Sequence, residues 1–299
     1  MYQQKLSDRL SPYIFVLPAA ILLSVFIVYP MFSSIYLSFT NWSGLGAKSF
    51  IGIDNYHRLF TEPVFWNSIR LQFIWALLSV VILAACGLFL ALVVEVFVPT
   101  KSLIPVFRTI LFMPMMMSMV TVGILWSIIY NPLIGLLNDV LKTIGLLKQG
   151  QALDLLGNPK LAIYAAFVPT IWQWSGFGMV IFSAAMQSIP QDIMEAAVID
   201  GCGKYGRIRH IIFPLLKPNI ATVCTINLIG GLKCFDIIYV MTAGGPGNAT
   251  LVTSIYIFRM AFVNNFHGYS AAISFILFLL TALFGYLFFS FSKKLDVYV

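Results

Sequence analysis

The side chains of this chain best suited to specific chemistry crowd into one stretch, Glu195–Pro218. It carries Glu195, Asp200, Lys204, Arg207, Arg209 and Lys217 between two long apolar runs. Such a stretch offers a docking surface rather than a reaction centre. Glu195 and Ile199 lie four apart and share a helix face, and Ala196 and Ala197 are small enough for a partner backbone to come close. Ser188 is expected to cap this helix, with Pro190 in its first turn. Gly201 and Gly203 are expected to end it. A second short helix is expected over Lys204–Ile212, stopped by Pro214. The three basic residues of Lys204–Arg209 also suit an amphipathic hairpin on a lipid surface.

A second set of polar residues stands inside apolar sequence. Lys233, Asp236 and Tyr239 interrupt the run Asn219–Thr242. Charges in a spanning segment are costly and face a partner or a watery cavity. At i and i+3 on one helix, Lys233 and Asp236 can pair; they can equally form the hydrophilic wall of a passage. Trp172, Gln173 and Trp174 sit in the middle of another run. An indole can stack on a sugar ring while an amide bonds its hydroxyls, or the residues can simply pack between helices. The two tryptophans are about 200° apart on a helix, so only one faces a given cavity. Tyr269, Ser270 and Ser274 are further lining candidates. Gly176 and Gly178 fit close helix contact, and the methionine-rich Met113–Met119 fits adaptable packing.

Covalent and nucleotide chemistry leave no trace. The chain has no G-x-x-x-x-G-K-[ST] phosphate loop, no H-E-x-x-H pair and no G-x-S-x-G elbow. His57, His210 and His267 are far apart, and Cys86, Cys202, Cys224 and Cys234 lack metal-type spacing and read as small buried residues. No cofactor is expected in this chain.

The elements that must position these groups are membrane helices. Of the 299 residues 60% are hydrophobic and 10% charged, against about a quarter charged in soluble domains. Tyr13–Leu37, Leu71–Val94, Thr109–Tyr130, Leu161–Ile189 and Ala271–Phe291 are free of Asp, Glu, Lys and Arg. Each meets the length of about 20 apolar residues that a bilayer needs. With the interrupted Asn219–Thr242 they predict an all-α protein of six transmembrane helices. The first run is too long for a signal-peptide core and reads as a retained helix. The net charge of +7 sits between the runs, where headgroups and the positive-inside rule account for it, so nucleic acid is not an expected partner and membrane lipid is. The denser basic segments, Lys204–Lys217 above all, place both termini in the cytoplasm. Ser38–Asn67, Asn131–Lys160 and Ala243–Gly268 then lie outside, with a turn forced at Gly244–Gly247.

The stretch Glu195–Pro218 resembles the EAA motif of permease subunits in binding-protein-dependent ABC importers. Glu195, Ala196, Ala197, Asp200 and Gly201 stand at the motif's spacing, as do Pro214, Leu215, Leu216 and Pro218. Cys202 replaces the usual Ala, and Gly206 and Ile208 also depart from the commonest residues. The segments LPAAILLSVFIVYPMFSSIYLSFTNW, IGIDNY, GFGMVIFSAAMQSIP, FDIIYVMTAGGPG and GYSAAISFILFLL resemble the carbohydrate-type branch. The resemblance implies a type I ABC importer fold, one permease domain over 1–299 with a cytoplasmic coupling loop at 187–218, in a bacterial inner membrane. It implies that Glu195, Ala196, Ala197, Asp200, Gly201, Tyr205 and Arg207 couple to an ATPase subunit. It implies that fifth- and sixth-helix positions near Lys233, Asp236 and Tyr239 contribute to the substrate site; with the side-chain readings above, the expected substrate pathway is Lys233, Asp236, Tyr239, Trp172, Gln173 and Ser274. The implied partners are a second EAA-type permease, two ATPase subunits carrying ATP and magnesium, and an extracytoplasmic solute-binding protein. The implied solute is a sugar, an oligosaccharide foremost, with a polyol or glycerol phosphate as alternatives. A self-contained secondary transporter, or a membrane-embedded transferase, would need an ion site or a carboxylate cluster that the scattered acidic residues do not suggest.

Overall fold

The computed structural model describes residues 6–148 and 150–296. These are helical apart from turns, loops and a β-bridge between Thr40 and Phe50. Four helices are long and apolar enough to cross a membrane: α1 (Phe15–Leu37), α3 (Pro63–Phe97), α7 (Ala162–Gln187) and α13 (His267–Asp296), whose apolar part is His267–Ser290. Two bent pairs bring the number to six if each pair is one crossing: α4 (Lys101–Met116) with α5 (Met119–Ile129), and α9 (Lys204–Leu215) with α10 (Lys217–Leu232). The shorter helices are α2 (Asp54–Thr61), α6 (Leu136–Thr143), α8 (Gln191–Ile199), α11 (Asp236–Thr242) and α12 (Thr253–Val263).

The expected runs are altered in two places. Thr109–Tyr130 is not one straight helix: α4 and α5 meet at 93°, and Met117 and Ser118 between them are extended. Pro114 lies in a 3-10 turn, Met113–Met116, that tightens the end of α4 just ahead of the break. The run Asn219–Thr242 is also divided. Lys233 closes α10, Phe235 has extended-type φ, and Asp236 opens α11. Lys233 and Asp236 are therefore not neighbours on one helix face, and among the described residues no ion pair joins them.

The chain forms two compact units. One takes the described residues within Met1–Glu62 together with Ile257–Phe278. In it the IGIDNY turn is pinned by Asn55, whose buried amide donates to the carbonyls of Ser38 and Thr40, both at 2.8 Å. Tyr269 donates to Glu62 at 2.7 Å, and Arg58 lies over the Tyr269 ring.

The other unit, Pro63–Tyr256 with 279–296, holds both candidate sites. Its core joins α3, α7 and α10 through Ala84, Ala91, Val94, Met179, Phe182 and Val223. Two glycines set the spacing of α3 and α7: a Cβ on Gly87 would stand 2.9 Å from the backbone of Gly178. That contact is open only to residues without a side chain.

Candidate coupling unit and transmembrane cavity

α8 begins at Gln191 after Pro190, and Ser188 instead closes α7, its hydroxyl donating to Ala185 C=O at 2.8 Å. The expected Ser188 cap fails because the α7 backbone reaches it first. The far end of α8 is a Schellman closure: Cys202 N–H donates to Ala197 C=O at 2.8 Å, and Gly201 N–H donates to Val198 C=O at 3.0 Å. Gly201 takes φ +78°, a conformation that glycine alone adopts freely. Gly203 does not end α8; at φ −67° it leads into α9. Nor does Pro214 stop α9, which continues to Leu215 and bends at Leu216 by 65° into α10. A widened π-type turn, Phe213 N–H to Ile208 C=O, precedes the proline and gives its ring room.

This unit presents apolar side chains among its charges. Ile199 is 85% exposed and Tyr205 78%. Glu195 is exposed and accepts from Gln191 Nε2 at 2.6 Å, while Ala196, Asp200 and Gly201 are also open. Ala197 is buried against its own chain, so it supports the surface rather than forming it. Tyr205 leans on Phe97 at 5.9 Å between ring centroids, and Lys204 lies over the same ring. Arg207 is half-buried, its Nε without a partner.

A cavity of about 380 Å³ opens between α3, α5, α7, α10 and α11. Its walls are largely apolar, and its polar groups are few. Thr170 Oγ1, Trp174 Nε1 and Asn227 Nδ2 are buried on it without a hydrogen-bond partner. Lys233 and Asp236 stand exposed at its edge. Several helix hydroxyls of this unit turn back onto their own backbone: Ser79 on the same cavity wall to Trp75, Ser127 to Gly123, Thr225 to Ala221 and Thr242 to Ile238, while buried Ser183 away from the cavity has no partner. Thr170 has none either, and buried groups left in this way cost about 1–3 kcal/mol each. Three residues carrying such a group line this one space.

The residues expected from the sequence divide accordingly. Lys233 and Asp236 line the cavity. Trp172 does not: it is 39% exposed and leans on Trp126. Gln173 is buried behind the wall, donating to Met117 C=O at 2.8 Å. Tyr239 stacks on Phe235, which itself lines the space. Ser274 belongs to the other compact unit and donates to Ser270 C=O of its own helix at 2.9 Å. Thr170 and Asn227 went unnoticed in the sequence. For Asn227 a signal existed, an amide in the middle of an apolar run, where such groups seek partners.

Bent helix pairs around a largely apolar cavity with a few buried polar groups, and a compact charged unit leading into one of them, are the frame of a polytopic membrane protein. Residues 84–297 match the family described as binding-protein-dependent transport system inner membrane component. A probable ABC transporter permease protein of Pyrococcus horikoshii is 37% identical, over 95% of this chain and 97% of its own. The lactose transport system permease protein LacF of Rhizobium radiobacter is 34% identical, over 92% and 91%. The fold matches a chain in the crystal structure of a bacterial ABC transporter involved in the import of the acidic polysaccharide alginate. That match has a TM-score of 0.86 and 23% identity, over 97% of this chain and 99% of that one.

The chain belongs to the family of binding-protein-dependent transport system inner membrane components. It is a multi-pass inner-membrane permease of a binding-protein-dependent ABC importer and a non-catalytic subunit of that complex. The secondary-transporter and transferase readings fall with that membership.

Proposed function

We propose that this permease imports a sugar, an oligosaccharide foremost, and forms half of its path. The observation that carries the reading is the cavity. Thr170 Oγ1, Trp174 Nε1 and Asn227 Nδ2 are buried and unpaired on it, and a polyhydroxylated solute supplies the partners they lack. Trp174 in the same wall, half-buried, offers an apolar ring face of the kind that packs on a pyranose. Lys233 and Asp236, unpaired with each other, add a donor and an acceptor at the mouth. Sugar transport named for the lactose relative supports the same class. In this reading the solute path is lined by Lys233, Asp236, Thr170, Trp174 and Asn227, Trp172 and Gln173 stand off it, and Tyr239 acts through Phe235. Ser274 keeps no assigned role.

In this proposal the chain is one permease domain, 1–299, whose loop 187–218 seats on an ATPase subunit. Glu195, Ala196, Asp200, Gly201, Tyr205 and Arg207 make the contact, with Ala197 shaping it from behind. Exposed Ile199 and Tyr205 fit a partner's cleft better than solvent. A second EAA-type permease, two ATPase subunits that hold ATP and magnesium, and an external binding protein complete the complex. Both termini are cytoplasmic.

The test is uptake into proteoliposomes holding the whole complex, with binding protein outside and ATP inside, over a panel of disaccharides, oligosaccharides, polyols and glycerol phosphate. The proposal expects ATP-dependent accumulation of a disaccharide or oligosaccharide. Accumulation of glycerol phosphate or a polyol alone would reject the sugar assignment.

A further inference from the structure

We propose that Arg108, clasped by Glu95 and Gln187, is the latch through which the coupling unit moves the cavity wall. This rests on the reading of 187–218 as a coupling loop. The three residues come from three helices, two of them from helix ends. Glu95 lies in the last turn of α3, Arg108 in α4, and Gln187 is the final residue of α7. Arg108 Nε donates to Glu95 Oε1 at 2.9 Å, and its Nη2 reaches the same oxygen. The pair is sheltered, with side chains 24% and 12% exposed. Gln187 lies against the guanidinium, and with its amide turned so that the oxygen faces Arg108 it accepts from Nη1 at 2.8 Å and meets Nη2 as well.

Both arms of the coupling unit meet this cluster. Gln187 stands just ahead of α8, which starts at Gln191. Phe97, two residues beyond Glu95, carries the rings and charge of Tyr205 and Lys204 from α9. From the cluster, α4 runs beside α7 toward the cavity and is held to it at two further points. At Gly176 the missing side chain lets α7 lie against the carbonyl of Leu111. At the break after α4, Gln173 holds the Met117 carbonyl at 2.8 Å. Two residues further on, Met119 enters the cavity wall opposite Thr170 and Trp174 of α7. A displacement of α8 is thus delivered to α4 and α7 together, and their paired ends form the wall. Partly buried charge-assisted bonds hold such a joint better than apolar contact, which slides. Arg108 acts here as a positioning residue and touches no solute.

The test uses the whole complex in nanodiscs. The four native cysteines are replaced by serine, and Ile229→Cys, on the cavity wall and 47% exposed, serves as reporter. The rate of its labelling by methanethiosulfonate ethyltrimethylammonium is read without nucleotide and after trapping with ATP and vanadate. Arg108→Gln is expected to assemble with the ATPase subunits and to hydrolyse ATP, yet to lose the nucleotide-dependent change in rate by about tenfold, the scale of an ordinary coupling between sites. The exchange Glu95→Arg with Arg108→Glu is expected to restore it, because the Gln187 amide can turn its NH₂ to the new carboxylate. A change retained in Arg108→Gln within about twofold of the parent, or one lost there and not recovered by the exchange, overturns the latch. If Arg108→Gln does not assemble, Gln187→Ala, at an exposed position, decides on the same readout. Glu195→Lys with an unaltered change would instead remove the coupling-loop reading, whatever Arg108 does.

Discussion

Thr170→Val separates a solute-binding hydroxyl from a structural one. The substitution keeps the branched shape and removes one oxygen. In a fold that used this hydroxyl, it would be destabilising. Here Thr170 is 4% exposed and its Oγ1 has no partner, so the native chain carries a desolvation cost of about 1–3 kcal/mol that valine abolishes. The variant is expected to be at least as stable as the parent by thermal unfolding in detergent. Transport should move the other way. Losing one neutral hydrogen bond to the solute costs about 0.5–1.5 kcal/mol, or roughly 2- to 13-fold in KM for uptake. Thr225→Val is the control, because its hydroxyl already bonds Ala221 C=O at 2.8 Å and the residue stands outside the cavity lining; its KM should not change. A Thr170→Val protein that unfolds more easily by over about 1 kcal/mol, or that transports with unchanged KM, refutes the reasoning.

Gly87→Val should part α3 from α7, because even a Cβ would stand 2.9 Å from the Gly178 backbone; a loss of about 1–3 kcal/mol is expected in the same unfolding assay, and parental stability would show the contact to be loose. Glu195→Lys should abolish solute-stimulated ATP hydrolysis in the assembled complex, and Gly201→Val should do so by forbidding the φ of +78° that closes α8; parental stimulation in both would free this loop of the coupling role. Single cysteines beside Lys48, Lys148 and Asn248 should label from outside intact cells and one beside Lys204 should not; the reverse pattern would invert the topology.

What the sequence disclosed follows from the range of the signals it carries. Long apolar runs require helices wherever hydrocarbon replaces water, and α1, α3, α7 and α13 stand where those runs predict them. Gly201 was legible as a helix end because the left-handed conformation selects for it. The bend between α4 and α5 was not, since Met113–Met119 is apolar but for Ser118, and Pro114 and Ser118 were the only residues in it that hinted at a break. The separation of Lys233 from Asp236 was hidden too: periodicity assumes a continuous helix, and Cys234 and Phe235 carry no turn residue. The rotation argument held, in that Trp172 and Trp174 face different ways, but the phase of a helix about its axis depends on what it packs against. Thr170, an ordinary helix hydroxyl in sequence, becomes unusual only when its neighbours fail to satisfy it. Glu95 and Arg108, thirteen residues apart, meet only because α4 folds back along α7.

The most direct measurement is a density map of the assembled complex with its transported sugar occluded in the membrane. The account predicts sugar hydroxyls at about 2.7–3.2 Å from Thr170 Oγ1, Trp174 Nε1 and Asn227 Nδ2, with Lys233 and Asp236 at the rim of the same cavity. A sugar resolved in the translocation path with none of these five residues within hydrogen-bond reach would contradict it.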